Sequence, residues 1–154
     1  MLKFKIRKTD DYDALVKLFM QEGLEYTEED LNGEGPVPTE IVQCWSVTLD
    51  GEDQQLVGGA VLAMRQGEYI VDGIAIASDY QGIKLGKELM MRVIEEVLIR
   101  NGKALYLVAR KPGFYESIGF DIIDPKDAPE FFECDTCSQY NVSCHPEVMK
   151  LSMV

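Results

Sequence analysis

The sequence predicts an α/β or α+β domain built around one mixed sheet. Three features carry that expectation. Short apolar segments with strand-like alternation recur along the chain, two longer segments place apolar residues at helical spacing, and glycine- or asparagine-containing turns separate them. The chain has 154 residues, of which 46% are apolar and 27% charged, which fits one domain over 1–154 and a core of ordinary size.

The elements follow in order. Phe4-Lys5-Ile6-Arg7 alternates like a strand, and Thr9 is placed to cap a helix with Ala14, Leu15, Leu18 and Phe19 on one stripe. Thr27 to Pro38 is acidic and rich in turn formers, and reads as a loop or short helix. Cys44 to Leu49 and Gln55 to Met64 read as two strands joined at Asp50-Gly51-Glu52-Asp53, and Tyr69 to Ala77 as a third. Leu85, Leu89, Val93, Ile94, Val97 and Leu98 recur at helical spacing, and Asn101-Gly102 ends that helix. Ala104 to Ala109 is a buried strand, Phe114 to Ile118 a short helix, and Phe120 to Ile123 and Val148 to Met153 two closing strands.

Charge and composition exclude several functions. Asp and Glu number 27 against 15 Lys and Arg, and a net charge of −12 repels nucleic acid and anionic membrane. No apolar run is long enough to span a bilayer, and the start MLKFKIRKTDDYDALV lacks the apolar stretch of a secretion signal. A cytoplasmic location is expected, with reduced cysteines.

Chemistry is concentrated in Ser78-Asp79-Tyr80-Gln81-Gly82-Ile83-Lys84-Leu85-Gly86-Lys87, where a strand gives way to a helix. Such a turn presents unpaired N–H groups and the positive end of the helix dipole, which suit a phosphate. It is not a Walker loop, because Gly82 and Gly86 enclose three residues and Lys87 precedes Glu88, and no dinucleotide fingerprint is present. A Ser-His-Asp hydrolase is disfavoured as well: the only histidine is His145, in a cysteine-rich segment, and there is no nucleophile elbow.

The run IAIASDYQGIKLGKELM resembles motif A of the GNAT acetyltransferase superfamily, and GFYESIGF, one helix and one strand later, resembles its motif B. Lys84 stands where the family's first signature glycine usually sits. The resemblance implies a GNAT-type mixed, mostly antiparallel sheet flanked by helices, and acetyl-CoA as co-substrate in a gap between the motif A strand and the next strand. By position it implies main-chain contacts from Ile74 and Ile76 to the pantetheine and acetyl group. A pyrophosphate cradle would run through Gln81, Gly82, Ile83, Lys84, Leu85, Gly86 and Lys87. It also gives Tyr115 the place of the acid that protonates the leaving thiolate, against the alternative of an aromatic in packing.

The acceptor amine needs a base, and Asp72, a charge inside an apolar strand, is the candidate, with Glu68 as the alternative; a structural, solvent-facing Asp72 fits a half-exposed sheet equally. Arg65, Arg110 and Lys111 are available to a substrate carboxylate.

Cys134, Cys137 and Cys144 form a C-x2-C-x6-C-H pattern with His145, in which the C-x2-C pair can hold zinc and Cys144, His145 or the distant Cys44 could complete a tetrahedral site, the alternative being reduced thiols without metal. With Glu147 and Met149 the order is similar to short N-acetylglutamate-synthase-like members of the superfamily. The function implied is N-acetyl transfer to a primary amine of a small metabolite, an amino acid among the candidates. The alternatives are a protein or peptide N-acetyltransferase and a non-catalytic CoA- or metal-binding interaction module. Monomer and homodimer are both left open.

Overall fold

The structure is a computed structural model, in which residues 3–22, 39–50, 55–81, 84–129 and 147–153 are described. Strand β1 (Phe4–Thr9) leads into helix α1 (Tyr12–Gln21), followed by β2 (Thr39–Leu49), β3 (Leu56–Arg65) and β4 (Glu68–Ile76). Helix α2 (Leu85–Ile99), β5 (Ala104–Ala109), the short α3 (Pro112–Glu116), β6 (Asp121–Ile122) and β7 (Glu147–Ser152) complete the order. The strands form one seven-stranded sheet in the order β1-β2-β3-β4-β5-β7-β6. Only β4 and β5 run parallel, because α2 carries the chain back across the sheet between them, while the other pairs are antiparallel.

The two longer helices cover opposite faces. Ala60 and Leu62 of β3 pack with Leu85, Leu89, Met90, Val93, Ile94 and Val97 of α2, whereas the intervening Val61 packs with Leu15 and Phe19 of α1. Successive strand side chains point to opposite faces, so the alternation on β3 separates the helices. The apolar stripe expected for α2 is present except at Leu98, which is half-exposed.

Local chemistry adjusts several element ends. The side chain that caps α1 is Asp11, whose carboxylate accepts from the Ala14 N–H, while Thr9 accepts from the Asp11 N–H one step earlier. Asn101 adopts a left-handed φ of 62° and the Gly102 N–H bonds the Val97 carbonyl, which terminates α2 as its sequence implied. Helix α3 begins at Pro112, two residues before the expected start, with proline in the first turn where its missing N–H costs nothing. The expected Thr27 to Pro38 loop and most of the Asp50–Asp53 turn lie outside the described residues.

A buried glutamate ties the first strand to α2. Glu96 is only 6% exposed, yet Lys8 Nζ lies 2.8 Å and Arg100 Nε 2.7 Å from its carboxylate oxygens. The hydrogen bonds from Lys8 and Arg100 hold this carboxyl below its ordinary range. Among the described residues no helix is long and apolar enough to cross a membrane.

Candidate active site

The site is built on an irregularity in β4. Val61 pairs with Gly73 but the next residue, Leu62, pairs with Val71, which leaves Asp72 as the extra residue of a β-bulge. The bulge resets the alternation of side chains. Asp72 meets α1, where the Tyr12 hydroxyl donates to its Oδ2 at 3.4 Å, whereas Ile74 and Ile76 pack with the α2 core on the other face. In an unbroken strand these three residues would share one face.

Just before the bulge, after Ile70, β4 leaves its parallel neighbour. Pairing with β5 is confined to Tyr69 with Leu105 and Ile70 with Tyr106. From there to Ile76, about 20 Å of strand at the usual rise, β4 has no ladder on that side. The Ala77 N–H turns the other way and donates to the Val57 carbonyl of β3 at 2.7 Å. Peptide groups alternate along a strand, so those of Ile74 and Ile76 point into the opening between β4 and β5. One of them is already in use: the Gln81 side-chain amide donates to the Ile76 carbonyl at 2.8 Å.

That bond fixes the turn that follows. A 3₁₀ turn at Ser78–Tyr80 is held from α1, because Glu22 accepts from the Ser78 N–H at 3.1 Å and from its hydroxyl at 2.9 Å. Lys84 then takes a left-handed conformation, with φ 65° and ψ 11°, immediately before α2. This is a conformation that glycine adopts without strain and lysine does not, which gives the physical reason for a glycine at such a position. The first N–H of α2 with a helical acceptor is that of Glu88, which bonds the Lys84 carbonyl at 3.2 Å. The N–H groups of Leu85, Gly86 and Lys87 therefore have no acceptor within the helix, and the exposed side chains of Lys84 and Lys87 add positive charge beside them. Gly82 and Ile83 lie outside the described residues.

Helix α3 brings Tyr115 to the same end of the sheet, since β4 and β5 are parallel and both end there. Its ring is half-buried, edge-on to Phe114 at 5.0 Å and to Phe120 at 5.9 Å between centroids. Burial pushes its phenol up to about 12, so the hydroxyl keeps its proton throughout the physiological range. Arg110 and Lys111, both exposed, follow β5 at this end. Glu68 and Arg65 do not: they pair with each other at the opposite end of β4, and Arg65 is buried with Nε and Nη2 donating to the Thr39 hydroxyl at 3.0 and 2.7 Å.

One neighbour of Asp72 had no signal in the sequence, and another, Cys44, was singled out only as a possible zinc ligand. Tyr12 lies 60 positions from Asp72, and no local pattern joins them. Cys44 is buried on the α1 face, where burial first, then the charges of Asp72 and Asp10, push its thiol up to about 11, so that it is an uncharged thiol and no nucleophile. Cys134, Cys137, Cys144 and His145 lie outside the described residues. Among the described residues no group of three or more His, Cys, Asp or Glu is placed to hold a metal ion.

The profile of the acetyltransferase (GNAT) domain family matches residues 41–122, and no curated protein matches the sequence. Solved structures match over nearly the whole chain. The N-acetylglutamate synthase of Neisseria gonorrhoeae, complexed with coenzyme A and N-acetyl-glutamate, superposes with a TM-score of 0.69 at 16% identity over 99% of this chain, which spans 35% of that one. A GNAT family acetyltransferase from Staphylococcus aureus MU50 has a TM-score of 0.69 at 16% identity, covering 99% of this chain and 100% of the other. The ribosomal-protein-S18-alanine N-acetyltransferase of Escherichia coli has a TM-score of 0.64 at 19% identity, covering 99% and 94%. At these identities the likeness is one of fold.

Proposed function

Because this chain belongs to the GNAT family and is thereby an acyl-CoA-dependent acetyltransferase, we propose that it acetylates the primary amine of a small metabolite, with amino acids inside that class. The observation that carries this reading is the separation of β4 from β5 beyond Ile70, which opens directly onto the start of α2. An extended pantetheine needs main-chain partners along a strand edge, and Ile74 and Ile76 offer them. A pyrophosphate needs converging N–H donors and positive charge, and Leu85, Gly86, Lys87 and Lys84 offer those. Gln81 takes part through its grip on the Ile76 carbonyl, which fixes the turn against the strand. Gly82 and Ile83 complete the proposed cradle in sequence.

In the reaction we assign, Asp72 accepts the proton of the amine, directly or through a water. The nitrogen attacks the acetyl carbonyl carbon, and a main-chain N–H at Ile76 stabilises the oxyanion. The C–S bond then breaks, the thiolate takes the proton of the Tyr115 hydroxyl, the nitrogen gives its second proton back to the Tyr115 oxygen, and Asp72 gives its own to solvent. An ammonium substrate and acetyl-CoA thus give the amide, the free CoA thiol and one proton released to solvent. Arg110 and Lys111, at the same end of the sheet, are the candidate partners of a substrate carboxylate; the buried Arg65 is too distant.

Release of the CoA thiol from acetyl-CoA, measured against amino acids, polyamines and short peptides, tests the reading. Turnover with small primary amines is expected. Turnover confined to peptide or protein amines would overturn the proposed acceptor class.

A further inference from the structure

We infer that Tyr12 is a positioning residue for Asp72, acting through the carboxylate on the acceptor amine. This rests on the proposed role of Asp72 as proton acceptor. Asp72 sits in a bulge, where one residue is released from the β3 ladder and the local backbone has fewer bonds to fix a side chain. Helix α1 reaches it from outside the strand. Tyr12 is the first residue of that helix, its ring packs against the buried cluster of Leu15, Phe19, Cys44 and Val61, and its hydroxyl donates to Asp72 Oδ2 at 3.4 Å. The ring is anchored by packing and the hydroxyl is delivered by the capped helix start, so the donor is placed before substrate arrives. That bond is long for O–H···O, and a general base has to hold its direction to within a few tenths of an ångström, so the hydroxyl aims the carboxylate more than it stabilises it.

One electrostatic consequence follows. A donor facing a carboxylate favours its ionised form. Two more groups bear on this face: the Cys44 thiol from β2 is uncharged, and the negative charges of Asp72 and of Asp10, just before α1, both act on that thiol. Tyr12 supplies a proton donor to Asp72 without adding charge.

The test is Tyr12→Phe, which removes only the hydroxyl, read by the pH profile of kcat/KM. The acidic limb should move up by about half a pH unit, and kcat should fall about 10-fold, with acetyl-CoA affinity and melting temperature unchanged. Asp72→Asn should abolish the limb, and adding Tyr12→Phe to it should cost nothing further, because the tyrosine acts only through the carboxylate. A Tyr12→Phe enzyme with an unmoved limb, or losses that add in the double variant, would reduce Tyr12 to packing while leaving Asp72 as base. Full activity of Asp72→Asn would remove the base and this inference together. If Tyr12→Phe does not fold, 3-fluorotyrosine placed at position 12 keeps the packing and strengthens the donor, and the limb should then move down; an unmoved limb overturns the inference.

Discussion

The ring of Phe114 lies over Gly86, so that a methyl group added at Gly86 would stand 3.4 Å from the ring Cζ and 3.8 Å from Cε2. This contact joins the helix after β5 to the first turn of α2, the two segments in which the family motifs were found. The spacing is that of an ordinary van der Waals contact, so the ring leaves space for a methyl group. Gly86→Ala should be tolerated, since alanine favours the helix by about 1 kcal/mol and Phe114, 38% exposed, has room to shift by a few tenths of an ångström. Gly86→Asp should instead weaken acetyl-CoA binding at least 10-fold by placing an anion among the donors meant for the pyrophosphate. Calorimetric titration of acetyl-CoA into both variants checks this, and unchanged affinity in a folded Gly86→Asp protein would take the turn out of the site.

Lys84 stores strain that glycine would release. The left-handed conformation costs a non-glycine residue about 1–2 kcal/mol, against which glycine loses about 0.5–1 kcal/mol through the unfolded chain. Lys84→Gly should therefore leave stability unchanged or raise it by up to about 1.5 kcal/mol, while the lost ammonium lowers acetyl-CoA affinity a few-fold at low salt. Denaturant unfolding combined with titration at two salt concentrations separates the effects. A loss of stability above about 1 kcal/mol would show that the lysine side chain contributes more than its backbone costs.

Tyr115 should control turnover without controlling binding. Tyr115→Phe is expected to lower kcat about 100-fold or more and leave acetyl-CoA affinity intact. Since burial pushes its phenol up to about 12, its proton is retained at neutral pH, and a basic limb below about pH 10 must arise from another group. The sign for stability agrees: the unfolded chain releases this proton first, so any stability linked to Tyr115 falls as pH rises from about 10 through about 12. Wild-type kcat in Tyr115→Phe would return this residue to packing alone.

Glu96 should shape stability in acid. Its folded carboxyl is held down by Lys8 and Arg100, so its contribution is fully present above the unfolded value of 4.5 and is lost as pH falls through the lower folded one. Glu96→Gln should cost about 1 kcal/mol at neutral pH, a modest figure because both cationic partners are partly exposed, and should flatten the acid arm of the stability curve. Melting temperatures from pH 3 to pH 7 for both proteins decide it. Parallel curves would mean that the triad adds nothing net.

The order of elements and the turn at Gln81 to Lys87 were legible because their determinants are local. Alternation in Tyr69 to Ala77, the stripe through Leu85 to Val97, and Asn101-Gly102 each act within a few residues, and the structure has elements at all of them. The left-handed Lys84 was local too, but its signal was inverted, since the residue present is not the one that the conformation prefers.

What the sequence by itself determined is the succession of strands and helices and the two motifs at the ends of β4 and β5. What only the tertiary structure decided is which residues meet. Tyr12 with Asp72, Glu22 with Ser78, and Lys8 with Glu96 span 60, 56 and 88 positions, and each depends on how a helix lands on the sheet. The bulge at Asp72 decides which face its carboxylate takes, and it exists only in the register of β4 against β3. Local propensity and apolar periodicity are written residue by residue, whereas register, bulges and long-range polar pairs are fixed when whole elements pack, because their energies depend on distances that no short segment contains.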